Sequence, residues 1–319
     1  MAKILIIGAG GQLGTELTKA MADQYGNDSV IATDFQESAK NKFDYCAFQT
    51  LDVMDKASLA SIVKNQGVTQ IYHLAAILSA LGEKDPVQAW DLNMGGLLNV
   101  LEVARTHQID KVFWPSSIAV FGPNSNKEQT PQQAFMDPNT VYGISKLAGE
   151  HWCAYYFNQY GVDVRSIRYP GLIGYKSLAG GGTTDYAVDI YHKAVHGEKF
   201  TCFLSEHTIL PMMYMDDAIR ATIQLMDAPK ENITIRSSYN LAGMSFSPSE
   251  LYQSILSYYP NFEIDYQPDF RQQIAESWPN SINDSFAKKD WLWQPSFDLK
   301  AMTETMLNNL PQYSKDHQQ

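Results

Sequence analysis

Short apolar runs rich in β-branched residues alternate with longer segments of helical periodicity through the first half of this chain, and that alternation restricts the fold more than any other feature. The runs lie at 3–7, 30–33, 70–74, 112–114 and 164–167, and the helical segments at 13–25, 57–65, 87–106 and 141–160. Strands that alternate with helices join through right-handed crossovers into a parallel sheet. The run Ile4-Leu5-Ile6-Ile7 offers no polar position, which predicts a sheet covered on both faces. After about Arg168 the rhythm changes: Pro170, Gly171 and Gly174 lead to Gly180-Gly181-Gly182, and helical patterns at 186–196, 217–226, 248–258 and 299–310 mix with short strands. The expectation is an α/β protein, a doubly wound parallel sheet with a smaller mixed α/β C-terminal lobe. Residues 1–170 form the sheet domain, with a returning segment near 208–240, and 171–207 with 241–319 form the lobe.

Composition removes several function classes. Lys and Arg number 24 against 35 Asp and Glu, a net charge of −11 that repels phosphate backbones and excludes nucleic acid as a partner. The apolar stretches fall far short of the ~20 residues a membrane span needs. The N-terminal Met-Ala-Lys-Ile-Leu-Ile-Ile has no cleavable-signal layout. Cys46, Cys153 and Cys202 are odd in number and scattered, which reads as free thiols in a reducing cytoplasm. No cluster of Cys, His and carboxylates has ligand spacing, so no catalytic metal is expected.

The first run ends in Gly8-Ala9-Gly10-Gly11-Gln12-Leu13-Gly14, and a helical pattern follows at once. So tight a turn needs positive φ, and a pyrophosphate approaching the backbone needs the absence of Cβ. The following helix start offers free N–H groups and a partial positive charge. The glycine spacing, Gly8, Gly11, Gly14, differs from G-x-G-x-x-G. Asp34 ends the second strand, 20 residues beyond Gly14. A carboxylate there can accept both adenosine ribose hydroxyls and would repel a 2′-phosphate, which favours NAD over NADP. Asp52 and Val53 follow the third strand, where an adenine edge would lie. Leu74, Ala75 and Ala76 close the fourth, small enough for the cofactor backbone to pass. His73 reads as a packed, hydrogen-bonded core histidine.

The fifth strand ends in Pro115-Ser116-Ser117, and Tyr142-Gly143-Ile144-Ser145-Lys146 follows inside a helical pattern. Tyr142 and Lys146, four apart, share a helix face. A free phenol, with a pKa of about 10, is a poor base at neutral pH. A nearby ammonium and a positive nicotinamide ring favour the phenolate. Tyr142 could then take the proton of an alcohol while hydride leaves the same carbon, with Ser117, and also Ser116, hydrogen-bonding the alcohol oxygen.

In this order, the glycine loop, Asp34, Asp52, Ala75-Ala76, Asn93, Ser117, Tyr142 and Lys146 resemble the extended short-chain dehydrogenase/reductase family. The resemblance implies a Rossmann domain and NAD at the strand ends. It also implies that Lys146 binds the nicotinamide ribose and that Asn93 orders the site. Nucleotide-sugar enzymes of that family carry an arginine and a histidine where this chain has Leu210 and Tyr214. The stretches 76–83, 168–171 (with Tyr169 at the cofactor), 180–187 and 271–279 resemble instead the short-chain type of L-threonine 3-dehydrogenase. That resemblance implies oxidation at the 3-hydroxyl, a homodimer built on helices 87–106 and 141–160, and metabolic coupling to a glycine-forming ligase. A small zwitterion needs a compact polar pocket. Gly180–Gly182 would let backbone approach, Ser79, Gly182, Thr183 and Thr184 could bind the amino acid, and Trp278 could exclude water. A nucleotide-sugar epimerase or dehydratase, and a regulator that senses NAD without chemistry, stand as the alternatives.

Overall fold

A computed structural model describes residues 2–176 and 180–316. Residues 177–179 and 317–319, part of the lobe drawn from the sequence, lie outside the described residues. The first half runs β1 (Ile4–Ile7), α1 (Gln12–Tyr25), β2 (Val30–Asp34), β3 (Ala47–Thr50), α2 (Lys56–Gln66), β4 (Gln70–His73), α3 (Ser79–Gly82), α4 (Pro86–Thr106), β5 (Lys111–Ser117), α5 (Val141–Tyr160) and β6 (Val164–Tyr169). The second half runs β7 (Gly171–Ile173), α6 (Tyr186–His196), β8 (Phe200–Cys202), β9 (Leu210–Tyr214), α7 (Met215–Asp227), β10 (Tyr239–Asn240), β11 (Met244–Phe246), α8 (Pro248–Leu256), β12 (Ile264–Tyr266), α9 (Arg271–Ser277), α10 (Ser285–Trp291) and α11 (Leu299–Asp316).

Seven parallel strands form the main sheet in the order β10-β6-β5-β4-β1-β2-β3, so the expected doubly wound, Rossmann-type architecture is present. Every residue of β1 and β2 is buried, because both sheet faces are covered. One apolar core packs α1 and α7 against one face, and another packs α2, α4 and α5. The chain reverses direction of progress between β1 and β4, where the carboxyl ends of the strands open a crevice. β3 is the third strand expected before Asp52, but no bounds could be read for it from the sequence, because it is an edge strand with no buried residue and no apolar run.

The lobe has its own core, in which Tyr186, Tyr191, Met302 and Met306 meet Phe121 from the loop after β5. Of the segment near 208–240, β10 joins the main sheet beside β6, whereas β9 pairs with β7 and β11 in a small separate sheet. Among the described residues no helix is long and apolar enough to cross a membrane.

His73, at the end of β4, is buried, but neither ring nitrogen has a hydrogen-bond partner among the described residues, unlike the hydrogen-bonded histidine expected. Burial, and secondarily the Lys146 charge, push its pKa from 6.5 down to about 3. The folded chain therefore keeps His73 neutral where the unfolded chain protonates it. Its presence costs nothing above about pH 6.5, and below that it should remove stability at about 1.4 kcal/mol per pH unit. Urea midpoints at pH 7.5 and pH 5 should draw together in His73→Leu relative to wild type. An unchanged pH slope in that variant would mean the ring is not held neutral.

Candidate active site

The glycine loop turns at Gly8, whose φ is +79° and whose missing Cβ would lie 2.6 Å from the backbone nitrogen of Ala75. Gly14 packs on the loop itself, since a Cβ there would lie 2.4 Å from the Gly8 carbonyl oxygen. α1 starts at Gly11 with no side-chain cap and no acidic residue in its first turn, which leaves its N–H groups to a ligand. Gln12, beside them, has a buried Nε2 without a partner among the described residues. This cradle of free donors fits the diphosphate of a dinucleotide.

Asp34 is 92% buried and already engaged. Its Oδ2 accepts from the Gly10 N–H at 2.9 Å and its Oδ1 from the Gln36 N–H at 3.0 Å. It thus holds the loop in shape, with lone pairs left for ribose hydroxyls. Asp52 is exposed and accepts from the Met54 N–H at 2.9 Å, while Val53 is buried against α4 at Gly96. Asn93 clamps the segment after β4: its Oδ1 accepts from the Ile77 N–H at 2.8 Å, and its Nδ2 donates to the Ile77 carbonyl at 3.1 Å and to Ser145 Oγ at 3.3 Å.

A cleft of about 250 Å³ gathers Gly8, Gly11, Gln12, Leu13, Gly14, Leu74, Ala76, Ser79, Ser116, Ser117, Tyr142, Lys146, Tyr169, Gly182, Thr183, Thr184 and Trp278. Asp34, Asp52, Val53, Ala75 and Asn93 do not line it. A wider groove of about 1800 Å³ between α1 and α7 shares Gly11 and Gln12 but holds neither Tyr142 nor Lys146, which both line the smaller cleft.

Thr140 caps α5 by accepting from the Gly143 N–H at 3.1 Å, and that start brings Tyr142 to the cleft beside Ser117 at the end of β5. Lys146 Nζ donates to the Pro115 carbonyl at 2.6 Å and lies 5.5 Å from the Tyr142 ring centroid. Pro115 lies past the last residue of β5 paired with β4, so it forfeits no ladder bond there. Burial pulls Lys146 down to about 7 and pushes the Tyr142 phenol up to about 12, with Ser117 acting the other way on the phenol. Lys146 is not among the groups that lower the phenol. A low-dielectric cleft opposes charge on both groups, and the phenolate needs a further positive charge alongside.

The Ser116 hydroxyl is directed elsewhere than expected: it donates to Glu150 Oε1 at 2.6 Å. Glu150 also accepts from Arg168 Nε at 2.8 Å and Nη2 at 2.7 Å, all within the protein interior. The sequence reading missed this hub. Its signal was periodicity, since Glu150 follows Tyr142 and Lys146 at the same four-residue step. Tyr169 lines the cleft, but its hydroxyl is turned to Thr222 on α7. On the lobe side, Ser79 Oγ and Thr183 Oγ1 are 3.3 Å apart. Asp185, a further lining residue missed from the sequence, accepts from the Gly181 and Gly182 N–H groups at 2.6 Å each, and burial raises its pKa.

The sequence profile of the NAD dependent epimerase/dehydratase family matches residues 4–242. The chain belongs to that family. Its cofactor is NAD, as the glycine loop and Asp34 led us to expect. An uncharacterized epimerase/dehydratase of Staphylococcus haemolyticus is 47% identical over 309 residues, 96% of this chain and 97% of the relative. Among solved structures, a partial consensus L-threonine 3-dehydrogenase is 56% identical with a TM-score of 0.96, over 97% of this chain and 99% of that one. A GalE-like L-threonine dehydrogenase from Cupriavidus necator in its holo form is 55% identical with a TM-score of 0.95, at the same coverage. A monomeric L-threonine 3-dehydrogenase from a metagenome database is 50% identical with a TM-score of 0.93, again over 97% and 99%.

Removing Glu150 leaves a buried guanidinium unpaired. Glu150→Ala should lower unfolding free energy by about 3–5 kcal/mol, whereas Glu150→Leu combined with Arg168→Met should recover most of that loss. Urea denaturation of the single and double variants reads the difference, and a single variant as stable as wild type would remove the hub.

Proposed function

We propose that this enzyme oxidises L-threonine at its 3-hydroxyl to 2-amino-3-oxobutanoate. The observation that carries the reading is the cleft itself. It gathers Ser117, Tyr142 and Lys146, and its only charged lining groups among the described residues are Lys146 and Asp185. Leu210 and Tyr214, at the positions of the nucleotide-sugar enzymes' arginine and histidine, are buried in the lobe core and offer a diphosphate nothing. The similar solved structures described as threonine dehydrogenases support the same choice.

Bound NAD supplies the hydride acceptor and, in its oxidised ring, the positive charge that the buried phenol lacks. Gly8, Gly11, Gln12, Leu13 and Gly14 hold its diphosphate, and Asp34 its adenosine ribose. Asp52 and Val53 edge the adenine, and Leu74, Ala75, Ala76, Asn93 and Tyr169 shape the wall. Tyr142 takes the 3-hydroxyl proton, Ser117 steadies that oxygen, and Lys146 binds the nicotinamide ribose. Asp185 faces the ammonium, Ser79, Gly182, Thr183 and Thr184 bind the remaining polar groups, and Trp278 excludes water. Ser116 acts through Glu150 instead of touching substrate. In this division residues 1–170, with the segment near 208–240, serve NAD, and 171–207 with 241–319 serve the amino acid. The β-keto acid product loses carbon dioxide readily to give aminoacetone unless a glycine-forming ligase captures it. Three unpaired cysteines accord with a cytoplasmic setting.

A homodimer is part of the proposal. α4 and α5 pack together and expose Val87, Trp90, Ile144, Trp152, Tyr155 and Tyr160. Sedimentation equilibrium should return twice the 35.9 kDa chain mass, and Trp152→Glu should shift it toward monomer.

NADH absorbance with threonine, serine and 3-hydroxybutyrate tests the substrate. Strong turnover is expected with threonine alone, and Tyr142→Phe should lose about 10²–10⁴-fold. Equal rates with 3-hydroxybutyrate would remove the amino-acid assignment, and binding of a nucleotide sugar in place of threonine would favour an epimerase.

A further inference from the structure

Trp278 reaches the cleft from a short segment, residues 276–283, that has no place in any sheet except one bridge at Ile282. The segment begins where α9 ends, so it carries carbonyls with no intrahelical donor. Two of them are taken by one ammonium: Lys127 Nζ donates to the Glu276 carbonyl at 2.6 Å and to the Trp278 carbonyl at 3.0 Å. A cation is the preferred partner at a helix C-terminus. The same loop then grips the next residues. The Asn280 and Ser281 N–H groups donate to the Lys127 carbonyl at 2.8 and 3.1 Å, and Glu128 accepts from Asn280 Nδ2 and Ser281 Oγ, both at 2.8 Å.

We propose that Lys127 is a positioning residue for the amino-acid end of the cleft, holding the 276–283 strap so that Trp278 closes over the substrate. Lys127 does not line the cleft, and no motif marks it. Among the described residues it is the one donor to the Glu276 and Trp278 carbonyls, where the chain leaves the helix. Lys127 is half-buried, and burial lowers its pKa, so the two carbonyl bonds are what hold the ammonium in place. The inference rests on the threonine reading for its substrate, but the strap's anchorage can be measured without it.

Two measurements on the NAD-bound enzyme test the idea. In Lys127→Met, amide hydrogen exchange across residues 276–283 should accelerate, and KM for L-threonine should rise about tenfold with kcat and the NAD dissociation constant nearly unchanged. Lys127→Arg, which keeps the charge, should restore both. Glu128→Gln, which loosens the strap from its other side, should move both the same way by less, and it decides the question if Lys127→Met does not fold. Unchanged exchange in the strap overturns the proposal, as does a fall in kcat or NAD affinity matching the change in KM. If wild type fails to oxidise threonine, the substrate reading falls while the exchange data still judge the strap.

Discussion

The bidentate pair between Glu150 and Arg168 is the interaction on which the rest of the site depends. It lies inside the protein, where an unpaired charge is costly, and so it fixes the elements that carry it. Glu150 belongs to α5, Arg168 to β6, and Ser116 on β5 completes the carboxylate's partners. Helix and strands are thereby tied two turns from Tyr142. The Lys146 bond to the Pro115 carbonyl ties them again at the cleft. A general base works only if its proton acceptor is held within hydrogen-bond reach of the substrate. These two ties fix α5, and with it Tyr142, against the end of β5 that carries Ser117.

The same burial that makes the ties strong sets the electrostatics. Tyr142 rises to about 12 and Lys146 falls to about 7, both through loss of water. Each group alone is therefore poised to stay neutral. In the proposed reaction a positive ring alongside would favour charge separation, so Tyr142 would be the stronger base with the hydride acceptor present. His73 belongs to this dry region too, kept neutral. In that reading the environment itself disfavours proton abstraction without an acceptor.

How much of this the sequence disclosed follows from range. β1, β2 and β4 are short buried runs whose pattern is local, and the Gly8–Gly14 turn and the Tyr142–Lys146 step are local too. All were legible. The bounds of β3 were not, because an edge strand needs no apolar run. Ser116 was legible as a polar residue at a strand end, but the direction of its hydroxyl depends on Glu150, 34 residues away. Asp34 likewise reads as a ribose acceptor, yet its first duty, to the Gly10 and Gln36 amides, is visible only in three dimensions. The Lys127 contact spans 151 residues to the Trp278 carbonyl, and no local pattern encodes a side chain that caps a distant helix end.

Hub and strap are also one hydrogen-bonded body. Arg168 Nη1 donates to the Gln132 carbonyl at 3.0 Å and to Asn240 Oδ1 at 2.9 Å. Asn240 Nδ2 in turn donates to the Thr130 carbonyl at 3.0 Å and to the Asn283 carbonyl at 3.1 Å. Thr130 is bonded to Ser281 through its N–H at 3.0 Å, which brings the path into the strap that presents Trp278. The guanidinium that neutralises Glu150, on the helix of Tyr142 and Lys146, thus also orders the segment that presents Trp278. Arginine suits both duties because its fork can bind a carboxylate bidentately and still spare a nitrogen for two neutral acceptors, which lysine could not do in one geometry. The Tyr142 end and the Trp278 end of the cleft are therefore positioned from a single buried cation, and a change in one is felt at the other through bonds rather than through the apolar core.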